Sequence, residues 1–168
     1  MEQGMTMSTP TQQRLIDLFN YDAETGSITR KIRTSKSTRV GDNAGCTRKD
    51  GYKVVRVDGG LYLAHRLIWM YVYGHLGDEI IDHIDGDPGN NKLSNLRAGD
   101  ANLNAQNQRK ARSTSIDGFL GASRHKGKWS AQISTNGKKI QLGTYSTPEE
   151  ASAAYKAAKR VIHAGCTI

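Results

Sequence analysis

The sequence predicts an α+β chain of short strands and short helices, ending in a three-stranded antiparallel sheet packed on one helix. Apolar residues recur at helical spacing in "HRLIWMYVYG" and "EEASAAYKAAKRVI", while "GYKVVRV" and "KWSAQIST" follow the two-residue period of strands. Turn residues punctuate the strands, as "DGG" does between "GYKVVRV" and "LYLAHRL". Hydrophobic residues make up 36% of the chain and aromatic residues 7%. The cores are therefore small, and 168 residues suffice for one ordinary domain or two small ones.

In chain order, Thr9 and Pro10 read as the cap and first turn of a helix through Phe19. "YDAETGSITRK" reads as a turn entering a strand, and the two strands around "DGG" as a hairpin. A helix then starts near His65 and is stopped by Gly74. Ile80 and Ile81 form a brief strand before Asp82, "KLSNLR" forms a second, and Asp100 caps a helix to about Ala111. "RKARSTS" reads as a linker. Three strands follow, "FLGASRH", "KWSAQIST" and "KKIQLGTY". A helix from Thr147 to about His163 then opens with a cap, a first-turn proline and two glutamates. Its small residues Ala151, Ala154 and Ala158, with Tyr155, cover the apolar sheet face of Trp129, Ala131 and Ile133.

The net charge is +8, with residues 113–168 contributing +5 and the first 112 residues +3. That balance favours a polyanionic partner. The segment Arg30 to Arg56 is dense in arginine and lysine, which suits contacts to phosphates. No apolar run approaches membrane-spanning length, and Met1 to Pro10 lacks the apolar centre of a signal peptide. Cys46 and Cys166 are far apart with no C-x-x-C spacing, so they read as free thiols of a reducing compartment. Together these features imply a cytoplasmic protein with no membrane partner.

The most informative stretch is "IIDHIDGDPGNNKLSNLRAGDANLNAQN", residues 80–107, with six asparagines and an Asp-His pair. Hydrolysis of a phosphodiester needs a base for water and a hard cation to offset charge on the phosphate and the leaving oxygen. Histidine suits the first task because it titrates near neutrality. Carboxylate and amide oxygens suit Mg²⁺ or Mn²⁺. Asp82 and His83 would point to opposite faces of a regular strand, so sharing a site requires the strand to end there. By residue type alone, Asn90, Asn91 and Asn95 also serve as turn and loop-bracing residues, and Asp85 and Asp87 as turn residues.

The spacing of His83, Asn95 and Asn104, with "HRLIWM" upstream, "DHIDGDPGNNKLSNLR" as two strands and "ANLNAQN" as a helix, resembles the HNH homing endonucleases of bacteriophages. That resemblance implies a ββα-metal (His-Me finger) unit with catalytic residues His83 as general base and Asn95 as the brace that orients it. It implies Asp82 and Asn104 as ligands of a single divalent metal, Mg²⁺ or Mn²⁺. Asn104 stands where many HNH enzymes have histidine, which weakens affinity for softer metals. His65, outside this set, reads as a packing or phosphate-contact residue.

The last third, with "GKW-A-I", "LGTY-T-EEA" and "AY-AA", resembles the Apetala/ethylene-response-factor (ERF) type of DNA-binding domain, whose sheet reads the major groove. The resemblance places DNA contacts on Ser123, His125, Lys128, Gln132, Ser134, Lys139 and Gln141. The expected organisation is a basic strand-rich segment (1–62), an HNH nuclease unit (63–112) and an ERF-type reader (113–168). The expected activity is that of a metal-dependent DNA endonuclease, monomeric and acting on double-stranded DNA. The alternative is a non-catalytic DNA-binding regulator on a decayed nuclease scaffold.

Overall fold

The computed structural model describes residues 9–109, 111, 118–163 and 165–167. The chain divides into two compact units, Met1–Ala98 and Gly99–Ile168. Most of the expected linker "RKARSTS" lies outside the described residues.

The first unit begins with α1 (Gln12–Leu18), which buries Leu15 and Leu18. Its cap is Thr11, not Thr9: the Thr11 hydroxyl accepts from the Arg14 N–H at 3.2 Å, so Pro10 lies before the cap. The strands β1 (Phe19–Asp22) and β2 (Ser27–Arg30) pair as an antiparallel hairpin. β3 (Cys46–Thr47), β4 (Lys53–Val57) and β5 (Gly60–Leu63) form an antiparallel sheet. The β4–β5 turn is Asp58-Gly59, both at positive φ. Such a two-residue turn matches the natural twist of the strands it joins. α2 (Ala64–Tyr73) follows directly and ends at Gly74, which takes the left-handed conformation and donates its N–H to the Met70 carbonyl.

One hydrophobic cluster joins these elements. Leu15, Phe19, Ile28, Val55, Leu67 and Ile68 pack together, and the cluster continues into Ile81 of β6 (Ile80–His83) and Leu96 of β7 (Leu96–Gly99). Burying each such large side chain stabilises the unit by about 1.5–3 kcal/mol. β6 and β7 are thereby fastened to the helices and strands before them, and they pair as a two-stranded sheet. Two details differ from expectation. β6 continues through Asp82 and His83 instead of stopping before them. "KLSNLR" is strand only from Leu96, because Leu93–Asn95 winds into a 3₁₀ turn with the Asn95 side chain directed back into the preceding loop.

The second unit contains α3 (Ala101–Gln106), β8 (Ala122–His125), β9 (Lys128–Thr135), β10 (Lys138–Tyr145) and α4 (Pro148–Ile162). Asp100 caps α3 as expected, its carboxylate accepting from the Leu103 N–H at 2.8 Å, but the helix ends at Gln106 rather than near Ala111. The tail supplies partners there: Gly165 N–H donates to Gln106 Oε1 at 3.0 Å, and Thr167 Oγ1 donates to Asn107 Oδ1 at 2.6 Å. β8, β9 and β10 form an antiparallel sheet through two-residue turns at Lys126-Gly127 and Asn136-Gly137. α4 packs on it behind a complete capping box, in which Thr147 and Glu150 satisfy each other's backbone N–H groups.

The buried face of α4 includes Ala151, Ser152 and Lys159, with Tyr155 and Ala158 half-buried. Lys159 departs from simple patterning. It is fully buried, and its ammonium donates to the Gln108 carbonyl and lies 5.9 Å from the centre of the Tyr155 ring. The helix approaches the sheet so closely that a Cβ on Gly121, where φ is +74°, would lie 1.9 Å from the Tyr155 ring. Gly121→Ala is therefore expected to destabilise this unit by roughly 2–4 kcal/mol, combining overpacking with a left-handed backbone. Urea unfolding of the two proteins side by side measures it.

Candidate active site

His83 ends β6 and is 4% exposed. Burial alternates along β6, with Ile81 and His83 buried and Ile80 and Asp82 half-buried. The His83 ring meets two others: His65 of α2 lies edge-on with centroids 4.9 Å apart, and Tyr52 lies 6.0 Å away. Tyr52 and His65 are themselves 5.6 Å apart, closing a three-ring cluster. Burial, then the neighbouring His83 and Arg66, push the His65 pKa down to about 4, so His65 is neutral at physiological pH.

The loop after His83 is held by Asn95. Its amide oxygen accepts from the Asp85 N–H at 3.0 Å, and its nitrogen donates to Asp85 Oδ1 at 2.9 Å and to the Asn90 carbonyl at 2.8 Å. Asn90 Nδ2 and the Asp87 N–H complete the ring around the Asp85 carboxylate. Burial pushes this carboxyl upward, but the hydrogen bonds from Asp87, Asn90 and Asn95, with His83 nearby, outweigh that and leave it below its ordinary value. The Asn95 carbonyl also accepts from the Ile84 N–H at 2.8 Å. Asn95 thus braces the loop between the two strands, while the side chain touching His83 is that of Asn91, Oδ1 to Nε2 at 3.2 Å.

Asp82 forms an ion pair with Arg97 of β7 at 3.0 Å, both largely covered. Asn104 is exposed on α3 and belongs to the second unit, whereas Asp82, His83 and Asn95 belong to the first. The oxygens of Asp82 and Asn104 are hard donors, a chemistry that fits Mg²⁺ or Mn²⁺, ions that retain several waters when few protein ligands hold them. Among the described residues, no three His, Cys, Asp or Glu side chains cluster as a metal site. Cys46 and Cys166 are free thiols. Among the described residues, no helix is long and apolar enough to cross a membrane.

The seven residues expected to contact DNA in the second unit share one sheet face. Register pairs Ser123 with Ser130, His125 with Lys128, Gln132 with Gln141 and Ser134 with Lys139, and directly opposed residues lie on the same side. The buried Ala131 and Ile133 lie on the opposite face, toward α4. All seven are exposed. Gln141 commits both amide hydrogens internally, to Ser130 Oγ and the Gly143 carbonyl, which also explains why Ser130 is buried on a polar face. In the first unit, Arg30, Arg33 and Arg56 line one cleft with Arg14, which is tied to Asp58.

Residue type could not single out Asn91, Asp85, His65 or Tyr52. Asn91 and Asp85 sit among like residues, and His65 and Tyr52 act through tertiary neighbours distant in sequence.

Residues 62–106 match the family model described as HNH endonuclease. The match supports a nuclease. A solved structure described as "DNA binding and cleavage by the HNH homing endonuclease I-HmuI" aligns with 88% of this chain and 88% of its own, at 20% identity and a TM-score of 0.42. No curated protein matches the chain.

The buried, neutral His65 makes stability depend on pH. Its folded value of about 4 lies below the ordinary 6.5, so between them the unfolded chain binds the extra proton. The stability present above pH 6.5 is lost as pH falls through about 4, by roughly 3 kcal/mol. Urea midpoints at pH 7 and 4.5 should separate for the natural chain and move closer together in His65→Phe.

Proposed function

We propose that this protein is a metal-dependent HNH DNA endonuclease of the phage homing type, with the sheet of its second unit reading DNA as ERF-type domains do. The observation that carries this reading is the match of residues 62–106 to the HNH family, a segment holding His83, Asn95 and Asn104 in motif order. The functional segments are 1–62, 63–112 and 113–168, and the setting is the cytoplasm.

In the proposed reaction His83 takes a proton from water while the water oxygen bonds to phosphorus. The bond from phosphorus to the 3′ oxygen breaks, leaving a 5′ phosphate and a 3′ oxyanion that takes a proton from solvent to become the hydroxyl. Asp82 and Asn104 would hold a divalent Mg²⁺ or Mn²⁺, which when bound would compensate charge on the phosphate and the departing oxygen. Asn95 acts through the loop, keeping its backbone in place beside His83. Arg30, Arg33 and Arg56 offer positive charge for backbone phosphates.

Incubation with supercoiled plasmid, with and without Mg²⁺, tests the reading. Nicks should form only with the metal, and His83→Ala should abolish them while DNA binding stays nearly unchanged. Metal-dependent cutting by His83→Ala would sink the assignment, and absence of cutting by the natural chain would favour the decayed regulator. Asp82→Ala and Asn104→Ala should each raise the Mg²⁺ concentration needed for residual cutting.

The reader sheet is best tested in the whole chain, because residues 165–167 hold the end of α3. Lys128→Ala and Lys139→Ala should weaken binding to all sequences evenly. Each should also flatten the salt dependence by roughly 0.9 for every phosphate the variant no longer neutralises. Gln132→Ala should instead change site preference, since an exposed glutamine can pair with an adenine edge. Titrations on random and selected DNA at two salt concentrations distinguish the outcomes.

A further inference from the structure

We infer that Gln141 reads DNA through its side-chain carbonyl oxygen alone, selecting a base that offers an exocyclic amino group in the major groove, adenine or cytosine, over guanine and thymine. This rests on the reading of the sheet as a DNA reader given above, and it names the chemical group that one residue of that sheet recognises.

A β-bulge decides what the side chain has left to offer. Along β10 the register passes from Gln141 opposite Gln132 to Gly143 opposite Ala131, so Leu142 is the additional residue. An inserted residue leaves peptide groups of the bulged strand without ladder partners. Two side chains of β10 meet them. The Tyr145 hydroxyl donates to the Leu142 carbonyl at 3.2 Å, and Gln141 Nε2 donates to the Gly143 carbonyl at 3.0 Å. Gly143 takes φ +148°, and a Cβ there would lie 2.9 Å from the Tyr145 hydroxyl oxygen, so the bulge requires glycine.

Gln141 Nε2 also donates to Ser130 Oγ at 2.9 Å, and Ser130 is 4% exposed. The orientation of the amide follows from the Gly143 carbonyl, which can only accept. Turning the amide over would set its oxygen against that carbonyl, two acceptors face to face. Both amide hydrogens are thus committed within the sheet, while among the described residues Gln141 Oε1 accepts no hydrogen bond.

The two glutamines therefore differ, although they stand opposite each other on β9 and β10. Gln132 is exposed, and among the described residues nothing ties its amide. It can donate to adenine N7 while accepting from the adenine amino group. Gln141 can only accept. In the major groove the amino groups of adenine and cytosine donate, whereas guanine N7 and O6 and thymine O4 accept. An acceptor fixed by the bulge gains one hydrogen bond from the first pair of bases and meets another acceptor on the second pair.

The test uses the full chain on duplexes that carry base analogues. The position where Gln141→Ala alters site preference is the one that Gln141 contacts. There the natural chain should bind adenine and cytosine alike, and guanine or thymine roughly two- to tenfold more weakly, the worth of one hydrogen bond. 7-Deazaadenine, which lacks N7, should bind as adenine does. Unsubstituted purine, which lacks the amino group, should bind as weakly as guanine. In the DNA-free chain, ¹H–¹⁵N NMR should show the Gln141 amide protons exchanging with water more slowly than those of Gln132, and Ser130→Ala should speed that exchange. A preference for adenine over both cytosine and 7-deazaadenine at that position overturns the inference. So do Gln141 amide protons that exchange in the natural chain as fast as those of Gln132, a readout that needs no variant to fold. If Lys128→Ala, Gln132→Ala and Gln141→Ala all leave binding unchanged on every sequence, the reader assignment fails and this inference with it. Slow amide exchange in that case would show the tether present without a base to read.

Discussion

The candidate site depends on the hydrogen bonds between Asn95 and Asp85. One buried amide satisfies a backbone N–H, a carboxylate oxygen and a backbone carbonyl, and so sets the path of the chain from Ile84 to Asn91. Each bond contributes about 1 kcal/mol net, but removing the amide would leave the Asp85 carboxylate and nearby peptide groups unsatisfied, a larger cost. The loop has little apolar side chain with which to fold by burial. Polar groups that satisfy one another replace a hydrophobic core here, and such a network tolerates little loss before it fails as a whole.

That polar network sits against an ordinary apolar one. Ile81 and Leu96 anchor the two strands in the cluster built by α1, β1, β2, β4 and α2, so His83 ends a strand whose other side chains are already fixed. The β1–β2 hairpin then reaches the loop directly through Tyr21, Ala23 and Gly26. Its residues lie some seventy positions from Asn91 in sequence, which is why the site could be located by motif while its support could not.

What the sequence made legible follows from locality. The Asp58-Gly59 hairpin, the Gly74 stop, the Asp100 cap and the Thr147 capping box are set by residues within four positions of one another, and each was readable. The alternation of β9 likewise placed Ala131 and Ile133 in the core. Local rules reached their limit where two residues competed for one role. Thr9 with Pro10 imitates a cap, yet Thr11 has the reachable N–H. Asn90, Asn91 and Asn95 are chemically alike, and only the folded loop assigns Asp85 to two of them and His83 to the third. Lys159 reads as a surface charge, but the Gln108 carbonyl meets its ammonium. Burial, opposed by Cys166 and aided by nearby Arg109, holds the lysine pKa below its ordinary value.

Division of the chain by motif and by packing also differs, and Asn104 shows why. The matched segment ends at residue 106, so by motif α3 belongs with the elements before it. By packing, α3 belongs with the second unit, where Gly165 bonds Gln106, Thr167 bonds Asn107, and Arg109 donates to the Thr167 carbonyl. A six-residue helix is too short to be stable alone, so tertiary partners determine whether it forms. The tail supplies those partners. The position of the proposed metal ligand is consequently set by residues sixty positions later in the chain, within the same unit that presents the exposed Ser, Lys and Gln face of the sheet.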